Sequence, residues 1–354
     1  MAFLKATQSS QRCSRYDFMK DSLCSFAKPL RYFAKLPMHH FQNLNSPLQH
    51  LDTINGVEIW LKREDLIHPH VSGNKWRKLK YYLEDFRKGD KTSILTFGGA
   101  FSNHLAATAA LGKMANIPTK ALVRGEEVGS NDTLDFCSEY GMEVEAISRK
   151  RYDTKDDSEF LQLMEETLPE VYIIPEGGKG SLGVRGCTEI LAEVEDGFDY
   201  VCSAGGTGTT MAGLLLSGYD SKFMLFPALK GGIFLRRAIA QSILEYEKAF
   251  STELNGKELV NYRLAVAENY HFGGYGKVKP ELIDFINGFY RKYKIPLDPV
   301  YTGKMMYGIF EMIENGEFAT GTKLLAIHTG GLQGIKGMNK RLEKSGKRKL
   351  DYED

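Results

Sequence analysis

Short runs of β-branched and aromatic residues alternate with longer helix-like stretches along most of the chain, from about Gly56 onward. The strand-like runs are Val57–Leu61, Ser93–Phe97, Thr119–Val123, Glu143–Ile147, Val171–Ile174, Tyr200–Ser203, Lys222–Phe226, Arg263–Val266 and Lys323–Ile327. The helix-like stretches are Lys75–Lys88, Ser102–Met114, Asp132–Tyr140, Glu159–Thr167, Thr188–Val194, Thr209–Leu215, Ile233–Glu247, Pro280–Lys292 and Lys304–Glu314. This alternation predicts an α/β protein, because such strands form parallel sheets that helices cover.

Polar stretches near residues 150–158 and 175–185 divide the alternating region. With 354 residues and a hydrophobic content of 42%, the chain is long enough for two ordinary domains. We therefore expect two lobes, each a mostly parallel sheet covered by helices, with a cleft between them. The expected parts are a poorly ordered N-terminal extension (1–40), a larger domain (41–80 and 195–345), a smaller domain (81–194) and a C-terminal tail (346–354).

The charge balance and the cysteines restrict the range of partners. Forty-six basic residues against forty-five acidic ones leave a formal net charge of +1, so no global field attracts the chain to nucleic acid or to an anionic membrane. No stretch approaches the roughly 18 apolar residues that a membrane span requires. The five cysteines are scattered and lack the paired spacings of zinc or redox sites. We expect reduced thiols, no metal site, a cytoplasmic location and a small-molecule partner.

The first informative loop precedes the helix-like stretch that begins at Lys75. Asn74 is a favourable N-cap, which would place Lys75 in the first turn of a helix. The positive end of the helix dipole disfavours an ammonium group there, so the neutral and nucleophilic amine is easier to reach. Such a lysine suits carbonyl chemistry. An ordinary basic helix start is the alternative, since Arg77, Lys78 and Lys80 crowd the same turns.

The second loop, residues 98–104, follows an apolar strand and precedes an alanine-rich helix. A strand, a glycine turn and a helix start present successive backbone N–H groups to an anion, and Ser102, Asn103 and His104 supply polar side chains beside it. The loop is therefore a candidate carboxylate site. The alternative is a capped turn in which Ser102 is the N-cap and His104 is a partly buried polar residue.

The third loop, residues 203–210, lies between a strand and a helix and combines glycines with threonines. Glycines let the backbone approach a phosphate closely, while hydroxyls and the helix N-terminus donate hydrogen bonds. The loop lacks the Gly-Lys-Ser/Thr ending of a Walker motif. Its glycine spacing is also wrong for a dinucleotide fingerprint, and Asp220 is too near to be the ribose-binding acid. It is therefore a candidate phosphate site of another class.

Together these loops resemble the fold-type II pyridoxal-phosphate enzymes of the tryptophan synthase β-like superfamily. The resemblance is to the family of D-cysteine desulfhydrase and 1-aminocyclopropane-1-carboxylate deaminase, and it extends from about Ser46 to about Lys340. The motifs that carry it, in order, are Leu61–Leu66, Gly73–Lys75, Ser102–His104, Gly206–Thr210, Leu297–Lys304 and His328–Gly331.

The resemblance implies pyridoxal 5'-phosphate in the cleft between the lobes, with Lys75 as the Schiff-base lysine, and a homodimer. It implies that Asn103 binds the ring hydroxyl of the cofactor and that Thr302 and Thr329 lie near the pyridine nitrogen. The implied phosphate-binding residues are Gly206, Thr207, Gly208, Thr209 and Thr210. The implied groups near the substrate are Ser102, Asn103 and His104. The implied catalytic residues, besides Lys75, are Ser102, Tyr301 and, by a looser alignment, Tyr275. A glycine-flanked surface turn is the alternative for Tyr275.

Four positions depart from the family pattern or divide its members. Phe101 stands where the family commonly has glutamine, and Leu105 where it has a polar or basic residue, which predicts an apolar pocket wall. Ring-opening deaminases resemble this chain but carry glutamate at the position of Thr302 and glutamine at that of His104. These differences favour β-elimination of a small amino acid, with D-cysteine converted to pyruvate, ammonia and hydrogen sulfide.

Other functions remain open at this stage. One is 1-aminocyclopropane-1-carboxylate deamination, and another is a dehydratase or racemase reaction with the same cofactor. A non-catalytic protein that binds a phosphate-bearing ligand is the alternative of a different class.

Overall fold

The computed structural model describes residues 45–126, 129–195 and 197–352, so the extension expected for residues 1–40 lies outside the described residues. The strands are β1 (Leu48–Ile54), β2 (Val57–Lys62), β3 (Ser93–Gly98), β4 (Thr119–Arg124), β5 (Met142–Ile147), β6 (Val171–Ile174), β7 (Tyr200–Gly205), β8 (Lys222–Pro227), β9 (Leu264–Val266) and β10 (Lys323–Ile327). The helices are α1 (Asn74–Lys88), α2 (Asn103–Ala115), α3 (Asp132–Glu139), α4 (Arg149–Tyr152), α5 (Ser158–Thr167), α6 (Ser181–Thr188), α7 (Thr209–Leu215), α8 (Phe234–Phe250), α9 (Gly256–Arg263), α10 (Pro280–Tyr293), α11 (Thr302–Glu314) and α12 (Ile335–Lys344). None of these helices is both long and apolar enough to cross a membrane.

The strands form two sheets, which confirms the predicted α/β class. The larger sheet has six strands in the order β1-β2-β10-β7-β8-β9, and all neighbours in it are parallel except β1 and β2. The smaller sheet has four parallel strands in the order β5-β4-β3-β6. Helices cover both sheets. Every residue of β3 is buried, as expected for a parallel strand covered on both faces.

Strand β1 is absent from the predicted set because it lies at the edge of the larger sheet and its residues are mostly polar and partly exposed. It pairs with β2 through a two-residue turn at Asn55 and Gly56. Both turn residues have positive φ, at 50° and 77°, which the Asn-Gly sequence accommodates in a hairpin turn. The Asn-Gly pair was therefore the one local signal of this hairpin.

The helix predicted for Thr188–Val194 is wrong. The structure has α6 at Ser181–Thr188, followed by a single 3₁₀ turn at Glu189–Leu191. Glycines within α6 make this segment look like a loop, yet they are required by packing: a Cβ at Gly186 would lie 1.7 Å from the carbonyl oxygen of Arg77 in α1. Close contact between two helix backbones thus explains a sequence that is poor in helix formers.

Several segments pack against the larger sheet although the sequence places them elsewhere. Val184, Cys187 and Leu191, in a region expected in the smaller domain, lie in the core between α6, α7 and the larger sheet. Leu350 and Tyr352, in the expected C-terminal tail, are buried in the core on the same sheet. These contacts join both segments to the body that carries β7 and β10.

Candidate active site

A cavity, which with the solvent space at its mouth measures about 610 Å³, lies where the carboxyl ends of the two sheets meet. The segments after β7 and β10 contribute residues 204–208 and 329–331, and the turn after β3 contributes Asn103. The start of α1 and the residue before α11, Tyr301, complete the wall. In open parallel sheets, ligands bind outside the carboxyl ends of the strands, so this cavity is the candidate active site.

Lys75 is on the wall of this cavity, one residue into α1. The N-cap of α1 is Gly73, at φ 63°, and not Asn74 as the sequence predicts. A Cβ at residue 73 would lie 1.9 Å from the carbonyl oxygen of Thr329, so only glycine permits this approach of α1 to the end of β10. Asn74 instead donates a hydrogen bond from Nδ2 to Thr210 Oγ1 at 2.9 Å. This bond connects the first turn of α1, which carries Lys75, to the glycine-threonine loop.

The surroundings of Lys75 favour its neutral form. Burial, together with the nearby charge of Lys78, lowers its pKa to about 7. Among the described residues, its Nζ makes one hydrogen bond, to the carbonyl oxygen of Gly177 at 3.5 Å, the longest distance at which such a bond is effective. A substantial fraction of the side chain is thus a free amine near neutral pH, as carbonyl chemistry requires.

The loop between β7 and α7 forms the opposite wall. Gly208 is the N-cap of α7 and has φ 82°, a left-handed conformation that glycine adopts at little cost. The first N–H groups of an α-helix have no partner within the helix, so the start of α7 offers donors beside the cavity. Gly206 leaves room for the Tyr301 ring, since a Cβ there would lie 3.2 Å from the tyrosine hydroxyl. Four of the five expected phosphate-binding residues thus line the cavity.

Among those residues, the side chain of Thr209 faces away from the cavity. It is fully buried, and its hydroxyl is 3.1 Å from that of Thr207. Gly206, Thr207, Gly208 and Thr210 do line the cavity, as expected. Thr209 can therefore contribute only through its backbone N–H.

Lys78 is a functional candidate that the sequence reasoning assigned to an ordinary basic helix start. It lies one turn after Lys75, on the same side of α1, and both side chains line the cavity. Lys78 is 3% exposed, and burial lowers its pKa. A buried ammonium needs a compensating anion, and a phosphate in the glycine-threonine loop would supply one. The spacing of three residues, which puts Lys78 on the same side of the helix as Lys75, was the sequence signal for this role.

The Ser102-Asn103-His104 turn is placed as a helix start, but only Asn103 lines the cavity. Ser102 is the N-cap of α2, and its hydroxyl accepts a hydrogen bond from Leu105 N at 3.4 Å. Asn103 donates from Nδ2 to the carbonyl oxygen of Gly331 at 3.3 Å, which links the turn after β3 to the turn after β10.

The side chain of His104 does not reach the cavity, contrary to the expected substrate contact. It is 2% exposed, and its Nε2 lies 2.8 Å from Thr96 Oγ1. Because that hydroxyl donates its own proton to the carbonyl oxygen of Ile174, Nε2 must carry the imidazole proton. Burial and the charges of Lys75 and Lys78 hold the pKa of His104 well below its usual value. The imidazole is therefore a neutral support beneath the turn.

Thr302 is also removed from the cavity, although the resemblance implies a cofactor contact. Its side chain is fully buried, and its Oγ1 donates to Asp298 Oδ2 at 2.9 Å while accepting from Asp298 N at 2.9 Å. The Asp298 carboxylate also accepts from the backbone N–H groups of Val300, Tyr301 and Thr302. The Thr302 hydroxyl is thus committed to the turn that begins α11, whereas Thr329 does line the cavity.

The two predicted tyrosines lie together. The rings of Tyr275 and Tyr301 are 6.1 Å apart in an edge-to-face arrangement. Tyr301 lines the cavity and its pKa is raised far above the usual value by burial, so its hydroxyl keeps its proton. Tyr275 is 56% exposed on a turn rich in positive-φ glycines and lines a second, adjoining cavity. Tyr275 therefore lies on a glycine-flanked surface turn, and this turn places its ring at the edge of the candidate active site.

Of the two residues expected to form an apolar pocket wall, Phe101 and Leu105, only Phe101 lines a cavity. Phe101 is 61% exposed and lines the second cavity. Leu105 is fully buried in the core between α2 and the smaller sheet, so it does not line either cavity.

The cavity residues fit pyridoxal phosphate. Lys75 offers an amine with a pKa of about 7 to an aldehyde. The loop of residues 206–210 leaves space and backbone donors for a phosphate, and Lys78 adds a positive charge. Asn103 supplies an amide in the same cavity for a ring hydroxyl. These groups could hold the cofactor without rearrangement of the fold.

Known proteins share this sequence pattern. The family model described as pyridoxal-phosphate dependent enzyme matches residues 41–330. A Pyrococcus horikoshii protein named "Putative 1-aminocyclopropane-1-carboxylate deaminase" is 32% identical over 324 residues, which cover 85% of this chain and 94% of that protein. An Arabidopsis thaliana protein named bifunctional D-cysteine desulfhydrase/1-aminocyclopropane-1-carboxylate deaminase, mitochondrial, is 29% identical over 340 residues, which cover 88% of this chain and 82% of that protein.

Solved structures agree with these sequence relatives. A crystal structure described as an ACC deaminase homologue has a TM-score of 0.70 and 30% identity, and the match covers 85% of this chain and 93% of that one. Maize serine racemase shares the fold, with a TM-score of 0.56 and 16% identity over 85% of this chain and 93% of that one. The chain therefore belongs to the family of pyridoxal-phosphate-dependent enzymes and has their type II fold.

Proposed function

We propose that the chain catalyses β-elimination from a small D-amino acid, and that D-cysteine is converted to pyruvate, ammonia and hydrogen sulfide. The observation that carries the proposal is that no carboxylate lines the cofactor cavity among the described residues. A carboxylate beside the pyridine nitrogen would favour its protonation and strengthen the electron sink. A weaker sink suits the loss of a good leaving group such as a thiolate better than the opening of a carbon ring.

The bound cofactor would supply the electron sink that stabilises negative charge at the substrate Cα. The chain's own residues would then perform the proton transfers. Lys75 Nζ, as a neutral amine, accepts the Cα proton. The N-terminal amides of α2 and the Asn103 side chain bind the substrate carboxylate. Tyr301, whose hydroxyl stays protonated because burial raises its pKa, can donate a proton to the departing sulfur.

Ring opening of 1-aminocyclopropane-1-carboxylate is the second candidate, because relatives with about 30% identity carry that name. Among the described residues, no carboxylate lines the cofactor cavity, and this argues against ring opening. Thr302 and His104 occupy the positions at which ring-opening deaminases carry glutamate and glutamine, but neither side chain reaches this cavity. A dehydratase or racemase reaction has no observation in its favour beyond the shared fold.

We expect sulfide and pyruvate from D-cysteine at a rate at least about tenfold above that of ring opening, because a thiolate leaves more readily than a ring carbon. This ratio corresponds to a difference of about 1.4 kcal/mol between the two barriers. The measurement is steady-state turnover of D-cysteine, L-cysteine, D-serine and 1-aminocyclopropane-1-carboxylate by the same holoenzyme preparation. Equal or faster turnover of the cyclopropane substrate would reject the proposal in favour of the deaminase. A preparation that binds the cofactor but turns over none of them would favour a binding protein.

The lowered pKa of Lys75 predicts an unusual pH dependence of cofactor uptake. We expect apo-protein to combine with pyridoxal phosphate at a rate that rises with pH and levels off just above about 7, because only the neutral amine attacks the aldehyde. An ordinary lysine would instead show a rise that continues toward about pH 10. Stopped-flow absorbance across this range is the measurement. A rate that still increases tenfold per pH unit above about pH 8 would contradict the burial argument.

The homodimer and the cytoplasmic location remain proposals, made by analogy with the family and from the cysteine pattern. Cys137, Cys187 and Cys202 are buried free thiols in the described part of the chain. Sedimentation of the holoenzyme measures the subunit number directly.

A further inference from the structure

A second cavity, which with the solvent space at its mouth measures about 860 Å³, adjoins the cofactor cavity and has no role in the reaction proposed above. The two share the residues Asn103, Tyr301 and Gly331 as walls, so a substrate held at the first cavity can extend into the second. The side chain of cysteine ends in a single sulfur atom after one methylene group. It would leave nearly all of this space empty.

The walls of the second cavity are largely apolar. Phe101 and Tyr275, both large and exposed, stand on its open side, and Val300 and Met338 contribute aliphatic surface. The Phe101 ring reaches across from the turn before α2 to α12, where a Cβ at Gly337 would lie 3.7 Å from it. An aliphatic chain that enters from the cofactor cavity would therefore meet apolar contacts.

One carboxylate, that of Asp298, also lines this cavity, but its hydrogen-bonding capacity is already used. Oδ1 accepts from the backbone N–H groups of Val300 and Tyr301 at 2.9 and 2.8 Å. Oδ2 accepts from the backbone and the hydroxyl of Thr302 at 2.8 and 2.9 Å. The turn therefore stabilises the carboxylate of Asp298, and burial nevertheless raises its pKa above the usual value.

Arg341, on α12, is the cation in the lining of the second cavity. One guanidinium nitrogen, Nη1, would lie 3.8 Å from a Cβ at Gly276, so the group stands beside the glycine turn that carries Tyr275. None of the ion pairs between described residues involves Arg341, whereas Lys336 and Lys340 of the same helix both pair with Asp132. The guanidinium is therefore available to an anion in the cavity.

We propose that the second cavity is a subsite for the leaving group on the substrate Cβ, and that it takes an alkyl thioether chain ending in a carboxylate, which Arg341 binds. This inference rests on the proposed β-elimination. Lys75 Nζ takes the proton from Cα, the Cβ–S bond breaks with its electron pair on sulfur, and the carboxyalkyl thiolate leaves. Water then hydrolyses the remaining unsaturated amine to pyruvate and ammonia, and no oxidant or reductant is needed.

The test compares two D-cysteine thioethers of equal size, S-(2-carboxyethyl)-D-cysteine and its neutral primary amide, with the holoenzyme. We expect kcat/KM for the acid to exceed that for the amide by about threefold to fivefold, because Arg341 is exposed and solvent screens its pairing with the carboxylate. Arg341→Gln should reduce this ratio to about one, and Arg341→Lys should restore part of it. Lys344→Gln removes one positive charge from the same helix outside the cavity lining and should keep the wild-type ratio.

Failure of the subsite and failure of the reaction give different results. If D-cysteine yields pyruvate but the acid and the amide are turned over equally by wild type, or if Arg341→Gln keeps the preference, the subsite is refuted and the β-elimination stands. If no compound yields pyruvate, the β-elimination is refuted. Calorimetric titration of the acid and the amide then decides the subsite alone, since Arg341-dependent preference for the acid supports it and equal affinities overturn it.

Discussion

Lys75→Ala is expected to lower turnover by roughly 10³-fold or more, because it removes both the nucleophilic amine and the base for the Cα proton. The same change should abolish the covalent attachment of pyridoxal phosphate. Lys75 combines a position on the cavity wall with a pKa of about 7 and a single weak hydrogen bond. The fold should survive, since the hydrogen bond of Nζ to Gly177 is long and alanine is a good helix former.

Borohydride reduction of the holoenzyme, followed by peptide mapping, identifies the attached lysine. Lys304 is the informative comparison, because burial lowers its pKa to about 8, near that of Lys75. Its Nζ, however, donates to the carbonyl oxygens of His271 and Gly274 at 2.9 Å each, and it does not line the cofactor cavity. We expect no label there. A pyridoxyl group on Lys304 or Lys78 would overturn the assignment of Lys75.

The fold was predictable where burial alone shapes the sequence. Strands such as β3 are buried on both faces and read as apolar runs, and the sequence locates them to within a residue or two. Strand β1 was not predicted because an edge strand with polar, partly exposed residues lacks an apolar run. Helix α6 was not predicted because its close contact with α1 requires glycines, which lower helix propensity. Both failures come from tertiary contacts that a local pattern does not encode.

The candidate site also contains residues that the sequence located and residues that it did not. Lys75 and the loop of residues 206–210 were assigned from the resemblance to a known family, because each local pattern also fits an ordinary helix start or turn; in the structure Lys75 and most of the loop line one cavity. Thr302 and His104 were assigned in the same way, but their side chains do not reach this cavity. Each side chain is oriented by a hydrogen bond to one neighbour, Asp298 for Thr302 and Thr96 for His104. These bonds hold both side chains away from the cavity. Motif resemblance assigns a position, but a neighbouring acceptor decides where the side chain points.

Gly208→Val is expected to raise the dissociation constant for pyridoxal phosphate at least about tenfold, which is a loss of about 1.4 kcal/mol. Gly208 has φ 82° at the start of α7, and a Cβ there would lie 2.7 Å from Ile239 Cγ1. Valine would therefore either shift the loop or change its backbone conformation, and each response moves the amides that face the phosphate. Titration of apo-protein with the cofactor, followed by absorbance, gives the constant.

Gly218→Val separates this effect from general backbone strain. Gly218 has φ 79°, almost the same as Gly208, but its Cβ would meet nothing within 4 Å, and it lies outside the cavity lining. Both variants carry the left-handed strain of a β-branched residue, so both should lose similar thermal stability from that source. Only Gly208→Val should weaken cofactor binding at a temperature where both proteins are folded. If the two variants keep the wild-type dissociation constant, the phosphate must bind elsewhere, and the assignment of residues 206–210 fails with it.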